Sequence, residues 1–289
     1  MFHFLGNLII ALLGIAVAYS VFHAAITHLV LLMESRLAYW QDPSQQRLSA
    51  FILARNALLE CLCNVSRLIL LPISSFQANA NPIGNPEQQT AQMPILLIHG
   101  YGQTQTDWYW FQYQLKQAGI GPVYTINLWN VMGGIETHAD KVAKRIRNIQ
   151  AKHPSDAITL IGHSMGGLVA SYYAEFLTKG DVNIKKIIAL GSPLYGTRLA
   201  GLGAGLSVEQ MAPNASFLES LRSKIESSPI PYYFVASQMD NTIVPWDSAL
   251  IDPLALDAPN QMIVPDIGHL RLLVSTTVLD KVKQWLLAQ

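Results

Sequence analysis

The stretch TLIGHSMGGLV, residues 159–169, passes from aliphatic and β-branched residues through a serine fenced by glycines into helix-compatible residues. Gly162-His163-Ser164-Met165-Gly166 fits G-x-S-x-G, a strand-to-helix bend that presents a nucleophilic serine. On such a bend Ser164 takes a strained backbone conformation. Gly162 and Gly166 leave room for the adjoining strand and helix. The helix N-terminus that follows offers partial positive charge and N–H groups to a developing oxyanion. The plainer reading of the same residues is a tight turn that happens to hold a hydroxyl. An apolar run before it and a helical run after it favour the nucleophile.

A serine hydroxyl attacks only when a base removes its proton, and the base needs a carboxylate to orient it. The chain order for this bend is Ser, then acid, then His. Of eight histidines, His3, His23 and His28 sit in an apolar N-terminal segment. His138 and His153 fall on or at the end of a helix, where exposure is expected. His163 would point away from its neighbour Ser164, and His99 ends a strand and braces a turn. His269, in PDIGHLRLL at the end of the last expected strand, is the candidate base. Asp240 closes PYYFVASQMD and opens the polar turn DNTIVP, a natural place for the orienting carboxylate. A turn-forming aspartate would serve the same sequence. Its rivals are Asp247, expected to begin a helix, and Asp266, too close to His269 in the same loop. A second oxyanion donor is available after the first strand, in LIHGYGQ, where the N–H of Tyr101 would join that of Met165.

These groups need a scaffold that gathers them at one edge. Six short, mostly apolar runs recur at 94–100, 122–128, 157–163, 185–193, 231–240 and 261–269. Strands that are apolar throughout are those covered on both faces. Helical stretches lie between them, among them ETHADKVAKRIRNIQAKH and GLVASYYAEFLTKG. The alternation predicts an α/β fold, a mostly parallel sheet flanked by helices, with functional groups beyond the carboxyl ends of the strands. The basic residues of KVAKRIRN form a solvated helix face, with Val142, Ile146 and Ile149 opposite.

The chain of 289 residues has 19 basic and 19 acidic residues, so no net field draws it to nucleic acid. Its apolar excess is concentrated at the front. Leu8–Met33 contains no charged residue and would reach ~39 Å as a helix, enough for a ~30 Å hydrocarbon core with tilt. MFHF lacks a basic residue and the run outlasts any cleavage site, which favours an uncleaved anchor over a signal peptide. In a second apolar stretch, Leu48–Ile73, the polar residues Arg55, Asn56, Glu60, Asn64 and Arg67 recur on one helical face. It reads as a helix on the membrane surface, against a partner, or packed on the rest of the chain, and a second span stays open. Cys61 and Cys63 are poorly spaced for a disulfide or a metal site and read as apolar filler. Residues 74–92 have the composition of a linker. The expected organisation is a membrane-associated helical segment (1–73), that linker, and a catalytic domain (93–289).

With these elements in order, the chain resembles the α/β-hydrolase superfamily, and more narrowly the bacterial esterase/lipase group with an N-terminal membrane segment. The resemblance spans about 93–289 and rests on PILLIHGYG, GHSMGGLVA, LGSPLYGT, QMAPNASFLESL, DNTIVPWDSA and IGHLRLLVS. It implies a Ser164–Asp240–His269 triad, oxyanion donors at Tyr101 and Met165, and no metal or organic cofactor. It also implies hydrolysis of carboxylic esters, of lipid type, through an acyl-enzyme. Acyl transfer by the same residues, or a non-catalytic membrane-tethered binding protein, are the alternatives. The expected partners are an ester or lipid substrate and a membrane, reached through the N-terminal apolar helix; the expected place is a bacterial inner membrane, with sidedness open. Tyr195 stands where lipases often carry His or Arg, which touches substrate preference. The aromatic run DWYWFQYQL (107–115) reads equally as an acyl pocket or as core packing. Residues 194–228 form a small Gly- and Ser-rich excursion that could cap the serine.

Overall fold

The computed structural model describes residues 2–41, 49–76, 93–153, 157–178, 180 and 182–288. Each apolar run holds one strand: β1 (Ile95–Ile98), β2 (Val123–Ile126), β3 (Ile158–His163), β4 (Ile184–Leu190), β5 (Tyr232–Ser237) and β6 (Gln261–Val264). They form one sheet in the order β2-β1-β3-β4-β5-β6, and every neighbouring pair is parallel. Most of the expected linker, residues 77–92, lies outside the described residues.

The helices are α1 (Phe2–Gln41), α2 (Ala50–Phe76), α3 (Tyr109–Gln117), α4 (Ile135–Gln150), α5 (Met165–Tyr172), α6 (Leu206–Gln210), α7 (Ser216–Glu226) and α8 (Thr276–Leu287). Strand side chains alternate across the sheet, and this sorts the core into two halves. Leu96, Ile98, Leu160, Ile187 and Phe234 pack with α4, α5 and α7. Ile95, Leu97, Ile161, Ile188 and Val235 pack with α3 and α8. Both faces are therefore largely apolar, which is why most of the strands read as hydrophobic runs. The basic helix behaves as its spacing predicts, with Val142, Ile146 and Ile149 buried. The aromatic run belongs to the core: Trp108 and Phe111 are fully buried, while Tyr113 faces outward. A buried amine on the sheet, Lys186, donates to the carbonyl of Ala288 and ties β4 to the end of α8.

Strand order reverses between β1 and β3: the chain leaves β1 for β2 on one side and returns to β3 on the other. Loops at such a switch point diverge and open a crevice. Residues 99–104 and Ser164 flank this one.

The two N-terminal helices are inverted. On α2 the buried positions are polar, Asn56, Glu60 and Asn64, whereas Phe51, Leu58, Leu62 and Ile69 are exposed. On α1, Ser20, Thr27 and His28 are buried beside Ala24 and Leu31, and Leu8, Ile10, Leu12, Ile15, Val17 and Phe22 are exposed. Of the readings left open for the second apolar stretch, packing on the rest of the chain is the one observed, and its polar face makes the contact. Cys61 and Cys63 are free thiols on this helix, and burial pushes Cys63 up to about 11. Among the described residues one helix, within Ile10–Ala38, is long and apolar enough to cross a membrane.

Ile188 is fully buried at the centre of the sheet, and Leu254 is 95% exposed. Ile188→Ala is expected to lower the unfolding free energy by about 2–5 kcal/mol, and Leu254→Ala to leave it within about 0.5 kcal/mol. Urea titration of the two variants checks both values.

Candidate active site

Ser164 sits between β3 and α5 with φ 57° and ψ −129°, a left-handed conformation that L-residues avoid. Its surroundings explain why the flanking residues lack side chains. A Cβ on Gly162 would lie 2.3 Å from the Gly167 nitrogen, and one on Gly166 would lie 2.2 Å from the Ile98 carbonyl oxygen. Gly167 is equally confined, since its Cβ would meet the Ser192 hydroxyl at 2.0 Å. The serine N–H donates to the Leu190 carbonyl at 2.9 Å, which joins the bend to the end of β4.

His269 and Asp240 come from loops after β6 and β5 and meet in the interior. His269 Nδ1 lies 2.8 Å from Asp240 Oδ2, with side chains only 5% and 1% exposed. The other carboxylate oxygen accepts the N–H groups of Thr242 and Ile243 at 2.8 and 2.7 Å. Oδ2 is thus left for the imidazole. Burial alone would push His269 below its ordinary value; the charge and hydrogen bond of Asp240, aided by Glu60, carry it above. Gly191, with φ 55°, supplies the room. A Cβ there would come 3.1 Å from Asp240 Oδ2 and 3.3 Å from His269 Nδ1. Because Gly191 directly follows the Leu190 that accepts the Ser164 N–H, serine and imidazole border the same strand end.

The neighbours of this group were assigned other roles by their sequence positions. His163 is fully buried, and its ring lies 4.5 Å from that of His269. Its nitrogens face Gln103 Oε1 at 2.9 Å and the His269 carbonyl at 3.0 Å. Burial holds this ring well below the ordinary imidazole range, so it is neutral and donates to one of the two. Gln103 Oε1 also accepts the Gly100 N–H at 2.6 Å. Gly100 is pressed close to the serine: a Cβ on it would lie 2.7 Å from Ser164 Cβ. The next residue is Tyr101, whose hydroxyl donates to the Ala204 carbonyl at 2.8 Å and ties this loop to the 194–228 excursion. His99 does brace its turn, with Nε2 accepting the Leu128 N–H at 2.9 Å.

Tyr101 and Met165 both line a cavity of about 100 Å³ with Gly100, Leu71 of α2 and the exposed Trp129 and Val131. A larger cleft of about 510 Å³, lined by Tyr195, Arg198 and Asp247, touches neither Ser164 nor His269. The expectation of an exposed His138 fails. It is 1% exposed on the inner face of α4, lines the smaller cavity, and has no hydrogen-bond partner on either nitrogen among the described residues. Desolvation lowers it to about 4. Periodicity had placed it on a helix but could not say which loops would cover that face.

The rival acids lie elsewhere. Asp266 is half-exposed in an ion pair with Arg55 at 3.6 Å, and Asp247 lies in the first turn of a short 3₁₀ helix at the larger cleft. Residues that the sequence reading missed are Gly191, Gln103 and the α2 residues Asn56 and Glu60. The regular spacing of the last two was visible, but their targets were not. Glu60 is buried; burial raises it to about 7, against the two loop N–H groups that it accepts from Leu270 and Arg271.

Comparison with known proteins agrees with this architecture. The model of the Alpha/beta hydrolase family matches residues 95–279. A triacylglycerol lipase of Pseudomonas fragi is 28% identical over 110 residues, 37% of this chain and 36% of the lipase, so the match spans about a third of that protein. The mature form of the Bacillus licheniformis lipase BlEst2 is similar in structure, with a TM-score of 0.59 at 16% identity over 72% of this chain and 96% of that one. Aspergillus fumigatus lipase B has a TM-score of 0.57 at 20% identity over 73% and 54%. At such identities the structural likeness speaks for the fold.

A Ser164→Gly variant relieves the left-handed strain, which is worth ~1–3 kcal/mol, against the ~0.5–1 kcal/mol that glycine adds to the freedom of the unfolded chain. It is expected to melt at a higher temperature than Ser164→Ala, which keeps the strain. Differential scanning calorimetry of the pair makes the comparison.

Proposed function

Because the chain belongs to the Alpha/beta hydrolase family, we propose that it is a serine hydrolase that cleaves carboxylic esters of lipid type through an acyl-enzyme. The observation that carries this reading is the buried His269–Asp240 pair, which borders through Gly191 the same end of β4 that accepts the N–H of Ser164, a serine held at φ 57°. Ser164 attacks the acyl carbonyl while His269 takes its proton, and Asp240 holds the ring in the tautomer whose Nε2 is free. The N–H groups of Tyr101 and Met165 bind the tetrahedral oxyanion, each worth roughly 3–4 kcal/mol of barrier. Protonated His269 then gives its proton to the leaving alcohol, and water deacylates the enzyme by the same steps in reverse.

A lipid-type substrate is supported by the exposed Trp129, Val131 and Met132 beside the smaller cavity and by exposed Leu202 and Leu206 in the 194–228 segment, which we assign as a small cap. The similar lipases agree with that class. The apolar exposed faces of α1 and α2 suit a membrane, and we assign residues 1–73 as the membrane-associated part and 93–289 as the hydrolase domain. Leu8–Tyr19 precedes Ser20, the first buried residue of α1 among the described residues, and would reach ~18 Å into the lipid, with the catalytic domain held at the surface. A bacterial inner membrane is the proposed site.

A fluorophosphonate probe is expected to label the wild type and not Ser164→Ala; a folded wild type that stays unlabelled would exclude the mechanism. Across p-nitrophenyl esters, kcat/KM should rise from acetate toward longer acyl chains, and a sharp preference for acetate contradicts the lipid-type assignment. Proton transfer needs a neutral imidazole. Since His269 is raised, kcat/KM should fall on the acid side with a midpoint above the ordinary value of about 6.5. Asp240→Asn should lower kcat by on the order of 10⁴ and move that midpoint down.

A further inference from the structure

We propose that Glu60 of α2 is a positioning residue for His269, and that α2 is the clamp that holds the active-site loops in register. This rests on the catalytic reading above.

The contacts run along one stripe of the helix at positions 56, 60, 64 and 67, which lie on the same face of an α-helix. Asn56 donates through Nδ2 to the Met239 carbonyl at 3.0 Å, one residue before Asp240. Its Oδ1 accepts from Arg271 Nη1 at 3.1 Å. The carboxylate of Glu60 takes two backbone donors, Leu270 N–H on Oε2 and Arg271 N–H on Oε1, both at 3.0 Å. These are the two residues that follow His269. They open the 3₁₀ turn Leu270–Val274, so the carboxylate caps the first N–H groups of the turn that His269 begins. Asn64 Oδ1 accepts Arg67 Nε and Nη2 at 3.1 and 2.8 Å, and that braced guanidinium donates through Nη1 to the Gly102 carbonyl of the β1 loop. The acid loop, the histidine loop and the loop of Tyr101 are thus all pinned by one helix.

Two features separate this from incidental packing. Gly268 is shaped for it: a Cβ there would lie 2.3 Å from Glu60 Oε1, although its backbone is not left-handed. Only a glycine lets the carboxylate approach. The helix also buries its polar residues and leaves Leu58 and Leu62 outside, an arrangement that apolar packing would not select. The His269 N–H is held independently by Asn241 Oδ1 at 3.1 Å, and Asn241 Nδ2 donates to Thr27 of α1 at 2.8 Å. The imidazole is therefore steered from both N-terminal helices. A displacement of about 1 Å in a reacting group can lower a rate about 10²-fold, which sets the scale of the effect.

The test uses the full-length protein in detergent, with Glu60→Ala, Glu60→Gln and, as a control on the exposed face, Leu58→Ala. Hydrolysis of p-nitrophenyl butyrate and the rate of fluorophosphonate labelling are read together. Glu60→Ala is expected to lose about 10²-fold in kcat with KM changed less than about threefold, and to label correspondingly slowly. Glu60→Gln keeps one acceptor but sets an amide N–H₂ against the second donor, so it should recover part of the loss and fall roughly tenfold short of wild type. Leu58→Ala should match wild type. A Glu60→Ala enzyme with kcat within about twofold of wild type overturns the inference. Should that variant fail to fold, a Glu60→Gln enzyme with undiminished kcat and labelling rate overturns it equally. A wild type that neither labels nor hydrolyses overturns the enzymatic reading itself, whereas an active wild type with equally active Glu60 variants removes this inference alone.

Discussion

A carboxylate and an imidazole sharing a hydrogen bond of 2.8 Å in the interior set the demand that the surrounding structure meets. A buried carboxylate is tolerable only when its lone pairs are engaged. Thr242 and Ile243 take one oxygen of Asp240 and leave the other to His269. Space for the pair comes from the absence of a side chain on Gly191, and a neutral histidine, His163, lies 4.5 Å from the ring. A charged neighbour at that distance would oppose any positive charge on His269. Burial of His163 keeps it neutral and so removes the repulsion.

The serine side answers a different constraint, that of crowding. The bend is crossed closely by β1 on one side and by the end of β4 on the other. Gly162, Gly166 and Gly167 each lie where a Cβ would fall less than 2.5 Å from a neighbouring atom. A backbone that tight forces a left-handed conformation on the residue at its apex, and Ser164 accepts it. The parallel sheet makes the crowding possible, because its strand ends converge where the order reverses between β1 and β3.

The N-terminal helices carry two surfaces with opposite demands. Their inner polar stripe satisfies loop N–H and carbonyl groups that would otherwise need water, and their outer surface is apolar. A helix docked in this way cannot be treated as an anchor that trails from a finished domain. It completes the hydrogen bonding of the loops at the carboxyl edge of the sheet. The pattern is unusual for a surface helix, whose apolar stripe normally faces the core.

All six strands were legible because burial on both faces makes a parallel strand a mostly apolar run, and periodicity of 3.6 located Val142, Ile146 and Ile149 on the inner side of α4. The G-x-S-x-G bend was legible because sterics there admit only glycine around the serine. His138 was misjudged, and the aromatic run left undecided, because both depend on what covers a helix face. Asp240 could be chosen over Asp247 and Asp266 by its place at a strand end, but its contact with a histidine 29 positions away is a fact of the fold. For α2 the residues at 56, 60 and 64 announced a polar face, and nothing local names the loops that the face meets. Local rules thus determined the elements, the bend and the candidate groups, since each is dictated by neighbours within a few residues. Which buried group is satisfied by which loop was decided by the tertiary structure, because hydrogen-bond partners some 200 residues apart are brought together only when the sheet and both N-terminal helices have closed around them.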